Sequence, residues 1–315
     1  MAKPPAIPAD CPAFAGLPVR LITLGAADEQ MAVHVAGRLA PGRTPVLCLP
    51  GYNRNMSDFS AFAPLLARYL QRDWPVVLLD LRGRGRSSWR RRADDYSTLA
   101  DARDVSIACR ALGIESAIVL GQGHGGQVLM ALALERPGLM AGAVLLDAGP
   151  AIAPQSLVRL RSNVAAIAQV KGQGGVTVML RRMLAADYPG RDPETLDRLG
   201  ARTHFINEKG ALPLFDPALM ERFADFSPDD IIEPQWPYFD LLNHLPLLLV
   251  RTQRTDQIDP EIWREMLARR PDARTLEIEG QGSPALLDGD TEVEEIADFV
   301  SVIVPAARER LARRA

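Results

Sequence analysis

The sequence has few of the residues that build disulfide frameworks, metal sites and membrane spans. Its 315 residues include three cysteines and four histidines. No two cysteines form a C-x-x-C pair, and no apolar run approaches the ~18 residues that a transmembrane helix needs. A net charge of -3 provides no basic excess for nucleic acid or an anionic membrane surface. We therefore expect buried, reduced thiols, no metal site, and neither a nucleic-acid nor a membrane partner.

The amino-terminal segment also lacks the continuous apolar region of a signal peptide, because prolines interrupt it. We expect a cytoplasmic protein. The composition, with 47% hydrophobic and 24% charged residues, is ordinary for a globular protein. A chain of this length can bury roughly 75% of its unfolded surface without disulfides or metals.

Short apolar runs alternate with helical patterns along most of the chain. Because a strand followed by a helix repeats, we predict an α/β fold with a mostly parallel sheet, helices on both faces and a short antiparallel edge. The predicted strands are residues 18–24, 30–36, 45–49, 75–80, 117–120, 140–146, 246–250 and 275–278.

One long segment interrupts this alternation. Residues 149–238 carry helical patterns broken by glycines and prolines, and no strand signal. We predict a helical cap there, inserted after the sixth strand. The core domain would then comprise residues 1–148 and 239–315.

A glycine-rich turn follows the fifth predicted strand and opens a helix. It contains Gly121, Gly123, His124, Gly125 and Gly126. Glycines at a strand end permit positive φ angles or close backbone approach. The spacing fits the dinucleotide motif Gly-x-Gly-x-x-Gly, and it also fits the nucleophile elbow Gly-x-Ser-x-Gly with its serine missing.

Four stretches in order give the chain a resemblance to a known superfamily. It resembles the α/β-hydrolases, in particular the capped cytosolic branch of esterases, lactonases and carbon–carbon bond hydrolases, from about residue 20 to 305. The stretches are Pro50-Gly51, Asp80-x-Arg82-Gly83-x-Gly85-x-Ser87, the glycine turn, and Gly280-x-Gly282.

The resemblance implies a site whose catalytic triad is incomplete. It assigns the nucleophile position to Gly123, the histidine position to Ser283 and the acid position to Asp256. Glycine cannot attack a carbonyl, and a serine hydroxyl is a poor general base, so standard acyl-enzyme chemistry is excluded. We expect a pseudoenzyme for serine-hydrolase chemistry.

The same resemblance implies that the ligand-binding backbone is retained. The backbone N–H groups of Tyr52 and His124 would form the oxyanion hole, beside Gly51 and Asn53. We expect these groups to bind a small apolar or carbonyl ligand under the cap without a cofactor.

Two alternatives stay open. In the first, the chain is an active hydrolase of esters, lactones or carbon–carbon bonds, with a site rebuilt around His124 and Asp256. Asp256 is alternatively a structural partner of a nearby arginine such as Arg254. In the second, Gly121-x-Gly123-x-x-Gly126 binds a dinucleotide, with Asp147 near the place of a ribose-binding acid.

Other polar residues are given structural interpretations. Asp147 is interpreted as part of the hinge of the cap. The remaining histidines, His34, His204 and His244, are interpreted as surface or packing residues. The arginines of residues 82–92 are interpreted as a solvated loop compensated by Asp94 and Asp95.

Overall fold

One eight-stranded sheet organises the protein. The computed structural model describes residues 7–304, which contain ten strands. They are β1 (Arg20–Thr23), β2 (Gln30–Ala36), β3 (Val46–Leu49), β4 (Val76–Asp80), β5 (Ala117–Gln122), β6 (Met140–Leu146), β7 (His204–Asn207), β8 (Gly210–Pro213), β9 (Leu247–Thr252) and β10 (Arg274–Ile278).

The strand order of the main sheet is β1-β2-β4-β3-β5-β6-β9-β10. The pairs β1–β2 and β2–β4 are antiparallel, and all other neighbouring pairs are parallel. This confirms the predicted parallel sheet with an antiparallel edge. The carboxyl ends of the parallel strands therefore lie along one edge of the sheet, where ligand sites form in such folds.

The helices follow the strands as predicted for a doubly wound sheet. They are α1 (Phe62–Tyr69), α2 (Thr98–Ala111), α3 (His124–Glu135), α4 (Pro154–Gln169), α5 (Gln173–Asp187), α6 (Pro193–Ala201), α7 (Ala218–Glu221), α8 (Trp236–Asp240), α9 (Pro260–Arg269) and α10 (Asp290–Ile303).

Side-chain alternation along the central strands creates two separate apolar cores. In β3, Val46 and Cys48 pack in the core that includes α1 and α10. Leu47 and Leu49 pack in the core that includes α2, α3, α8 and α9. All four side chains are buried, and full burial of a Val or Leu side chain stabilises the fold by about 1.5–3 kcal/mol.

The segment between β6 and β9 contains more than the helices that its sequence predicts. It includes α4 to α8, but also the antiparallel hairpin β7–β8. The absence of strands there was a wrong prediction. Asn207 Oδ1 accepts hydrogen bonds from the backbone N–H groups of Lys209 and Gly210 and closes the turn. Two strands of four residues are too short for their alternation to be recognised in the sequence.

The three cysteines confirm the prediction of buried, unpaired thiols. Cys11, Cys48 and Cys109 are free and buried. Burial raises the pKa of the Cys109 thiol to about 12, so this thiol is protonated near neutral pH. No helix within residues 7–304 is long and apolar enough to cross a membrane.

Candidate functional site

The turn between β5 and α3 has the backbone of a sharp strand-to-helix elbow. Gly123 adopts φ 52° and ψ -117°. A Cβ added at Gly121 or Gly125 would collide with neighbouring backbone, at Gly125 and Leu49 respectively, whereas one added at Gly123 would meet only Gln257 Oε1, at 3.9 Å. Close packing thus requires glycine at Gly121 and Gly125, whereas at Gly123 only the positive φ angle favours it.

Packing also explains the third glycine of the dinucleotide-like spacing. A Cβ at Gly126 would collide with the side chain of Ala148, beyond β6. Gly121 and Gly126 therefore let β5, α3 and the end of β6 approach each other closely. Close packing therefore accounts for the first and third glycines of the Gly-x-Gly-x-x-Gly spacing, and the positive φ of Gly123 accounts for the second.

Ser283 lies in the loop after β10 and contacts a buried carboxylate. That carboxylate is Asp147, at the end of β6, which accepts hydrogen bonds from Thr252 N at 2.8 Å and Thr252 Oγ1 at 2.9 Å. The hydroxyl groups of Ser283 and Thr255 lie near it and favour its charged form. Burial raises the pKa of Asp147 to about 6, even though these hydrogen bonds favour the charged form. The interpretation of Asp147 as a hinge residue of the cap did not include its contact with Ser283.

Asp256 makes different contacts. It lies after β9, where Arg159 Nε of α4 is 2.6 Å from Asp256 Oδ2 and Gln257 Nε2 donates to Asp256 Oδ1 at 3.1 Å. Arg159 also binds Asp187 of α5. Asp256 is thus bound to an arginine, as one interpretation held, but the partner is Arg159 of the inserted segment. The acid that contacts Ser283 is Asp147.

His124 belongs to a buried cluster of charges. Its Nε2 lies 3.0 Å from Asp101 Oδ2 of α2. Asp101 also binds Arg84 Nη1 at 3.1 Å and Arg90 Nη2 at 2.7 Å. Burial opposes ionisation of Asp101, but Arg84, His124 and Arg90 outweigh it and hold the pKa of this carboxyl well below its usual range.

The charge of Asp101 sets the tautomer of His124. An ionised carboxylate only accepts hydrogen bonds, so His124 donates from Nε2, and in the neutral ring Nδ1 carries no proton. Within residues 7–304, Nδ1 has no hydrogen-bond partner. The ring of Tyr52 packs edge-on against the imidazole, with centroids 5.1 Å apart. In that tautomer, Nδ1 is an acceptor nitrogen without a hydrogen-bond partner among the described residues.

The arginine-rich loop is not the solvated, self-compensated segment that its sequence suggests. Arg82 and Arg84 are buried, and Arg82 pairs with Glu29 rather than with the following acids. Only the exposed Arg92 pairs with Asp95. The signal that would have identified the cluster is Asp101 itself, an acid on the apolar face of α2.

Two cavities meet at this site. The larger has a volume of about 490 Å³ and the smaller about 160 Å³. Tyr52, His124, Ile152 and Leu157 line both. Six of the seven residues assigned to the site from the sequence line the smaller cavity, and Asp256 does not. They are Gly51, Tyr52, Asn53, Gly123, His124 and Ser283.

The backbone donors assigned to the oxyanion hole flank the smaller cavity. His124 begins α3, and the first N–H groups of a helix have no intrahelical acceptor. Tyr52 follows β3, and its carbonyl accepts a hydrogen bond from Arg84 Nε at 2.7 Å. This bond restrains the loop that carries the Tyr52 N–H. The role of these two donors stays a prediction.

His204 lines the smaller cavity, whereas the sequence indicates only a surface or packing role. It begins β7 in the inserted segment, and its Nδ1 lies 3.0 Å from Thr203 Oγ1. Burial, and then the nearby charge of Arg54, lower the pKa of His204 to about 4. The residue is therefore a neutral, buried imidazole near pH 7. Its position at the smaller cavity depends on the path of the inserted segment, and no local sequence pattern predicts that path.

Known proteins resemble the chain over most of its length. The family model of the α/β hydrolase fold matches residues 44–171. The 3-hydroxybutyrate-oligomer hydrolase of Cupriavidus necator is 27% identical over 270 residues, covering 82% of this chain and 89% of that protein. A fluoroacetate dehalogenase of Burkholderia sp. is 32% identical over 140 residues, covering 44% of this chain and 43% of that protein.

Solved structures agree with this likeness. An α/β hydrolase from Novosphingobium aromaticivorans superposes with a TM-score of 0.75 and 26% identity, covering 90% of this chain and 98% of that one. E-2-(Acetamidomethylene)succinate hydrolase superposes with a TM-score of 0.71 and 20% identity, covering 90% and 99%, which supports the fold alone.

Proposed function

We propose that this member of the α/β-hydrolase superfamily binds a small, largely apolar carbonyl ligand. In this proposal the protein does not carry out the acyl-enzyme chemistry of the superfamily. One observation carries this proposal. Gly123 has the backbone of the elbow but no attacking side chain, and the loop after β10 supplies Ser283 where a base is needed. Loss of the nucleophile or base of a serine-hydrolase triad typically lowers turnover by about 10⁶.

The cavities support retention of binding. A volume of about 490 Å³ falls in the range of small-molecule sites. A carbonyl oxygen in the adjoining smaller cavity would be within the region of the Tyr52 and His124 N–H groups. The Cupriavidus relative is named as a hydrolase of 3-hydroxybutyrate oligomers, which favours an ester or a hydroxy acid as the ligand.

A panel of aryl esters and lactones tests the proposal. We expect turnover by the purified chain close to the buffer rate, together with saturable binding of some of these compounds measured by calorimetry. Turnover at the rate of an intact triad would contradict the loss of acyl-enzyme chemistry. Failure of every compound to bind would contradict a ligand site of this class.

The His124–Asp101 pair favours a second candidate function. Asp101 orients the imidazole through Nε2, so Nδ1 could remove a proton from a water molecule beside Gly123. The acid beside His124 would be Asp101, whereas Asp256, the acid named in the sequence-based alternative, binds Arg159. Turnover above buffer that is lost in His124→Ala, but kept in the exposed control His244→Ala, would favour this hydrolase over the binding function.

A further inference from the structure

The larger cavity combines an apolar wall with an excess of positive charge. Its apolar lining includes Met130, Ala131, Ile152, Leu157, Phe223 and Phe226. Among its charged lining residues are two arginines, Arg84 and Arg222, but one carboxylate, Asp101. Asp101 pairs with Arg84 and Arg90, and Arg90 also pairs with Asp104. The cavity is therefore electropositive toward anything that enters it.

Arg84 is held in place with one nitrogen left to donate. Its Nε donates to Tyr52 O, and its Nη1 donates to Arg82 O and Asp101. The guanidinium carbon lies 5.3 Å from the ring centroid of Tyr52 and 5.7 Å from that of Tyr96. Nη2 has no acceptor within residues 7–304. A buried arginine fixed on several sides loses little entropy when it binds an anion.

Arg222 supplies a second cation at the mouth of the same cavity. It directly follows α7, is exposed, and precedes the cavity-lining residue Phe223. No carboxylate pairs with Arg222 within residues 7–304. Its charge reaches the site, because it favours the ionised form of Tyr52, although burial dominates and raises the pKa of that phenol to about 12. An anion between Arg84 and Arg222 would accept hydrogen bonds from Arg84 Nη2 and from the guanidinium of Arg222.

We propose that the larger cavity recognises an apolar organic carboxylate, with its anionic end between Arg84 and Arg222 and its chain along the apolar wall. This rests on the proposed binding function and names its ligand class. A carboxylate fits better than a larger anion, because Arg84 has only Nη2 left to offer. Tyr52 and His124 line both cavities, so a carbonyl group of the same ligand could reach the smaller one.

Matched pairs of acids and amides test the proposal. The probes are hexanoate, octanoate and phenylacetate, each with its primary amide, titrated into the full chain by calorimetry. We expect each acid that binds to do so about tenfold or more tightly than its amide, since a hydrogen bond to a charged group is stronger than a neutral one. The preference should decrease as salt is raised, because Arg222 is exposed.

Arg222→Gln provides the matched variant. It should lower the affinity for the acids about fivefold to tenfold and leave the amides unchanged, as expected for loss of one partly screened charge. Arg110→Gln is the control, because Arg110 is exposed and lines neither cavity. Equal binding of acids and amides, or an unchanged acid affinity in Arg222→Gln, would overturn carboxylate recognition while the binding function stands. Binding of no probe would contradict both.

Discussion

Replacing Gly123 by alanine separates backbone strain from steric collision at the elbow. An L-residue held at φ 52° and ψ -117° costs about 1–3 kcal/mol. Restriction of the unfolded chain returns about 0.4–1 kcal/mol of this cost. No steric contribution is expected, since the nearest atom to the new Cβ lies at 3.9 Å. Gly123→Ala should therefore lower the free energy of unfolding by about 0.5–2 kcal/mol.

Two further glycine variants serve as references for the stability loss of Gly123→Ala. Gly125→Ala would place a methyl group against the Leu49 carbonyl, and we expect a loss above about 4 kcal/mol or no folded protein. Gly113→Ala, at φ 69° with open space around it, should lose about 1–2 kcal/mol from its positive φ alone.

The measurement is urea unfolding followed by circular dichroism, in the same buffer for every variant. A Gly123→Ala protein as stable as the wild type would show that the elbow is not held at positive φ. A loss as large as that of Gly125→Ala would show that the space above Gly123 is occupied. Either result would refute the described geometry.

Two further variants probe the buried acids. Burial raises the folded-state pKa of Asp147 from 3.8 to about 6, so the folded state holds this proton more tightly than the unfolded chain and stability should fall as pH rises from about 4 to about 6. Burial also raises the pKa of Asp80 to about 6, so Asp147→Asn should reduce that slope in urea titrations across the window without abolishing it. An unchanged slope would exclude a contribution from Asp147. Asp101→Asn should cost about 3–5 kcal/mol in chemical denaturation because Arg84 and Arg90 lose a buried counter-charge. Asp95→Asn, at a surface pair, should cost at most about 1 kcal/mol, and equal losses would refute the cluster.

The sheet could be predicted because its signals are local. Buried apolar runs, helical stripes and glycine turns follow one another in the sequence, and all eight strands of the main sheet lie where these patterns place them. Gly123 and Ser283 could be located for the same reason. Each lies in a short loop directly after a strand, and both line the smaller cavity.

Tertiary contacts at the site could not be predicted in this way. His124 reaches Asp101 because α3 packs on α2, and Ser283 reaches Asp147 because β6, β9 and β10 are adjacent in the sheet. No spacing in the chain encodes either contact. The resemblance alone assigned the acid to Asp256, which instead binds Arg159 of the inserted segment.

The central claim is that this site keeps its elbow and binding backbone but has lost its reacting groups. The most direct measurement is the rate of aryl-ester hydrolysis by Gly123→Ser/Ser283→His beside the wild type and both single variants. Space for the serine is open, and Asp147 would lie beside the new histidine. We predict a wild-type rate near buffer and a gain of at least about 100-fold in the double variant alone, a small part of what a full triad provides. A folded double variant no faster than the wild type would contradict the claim.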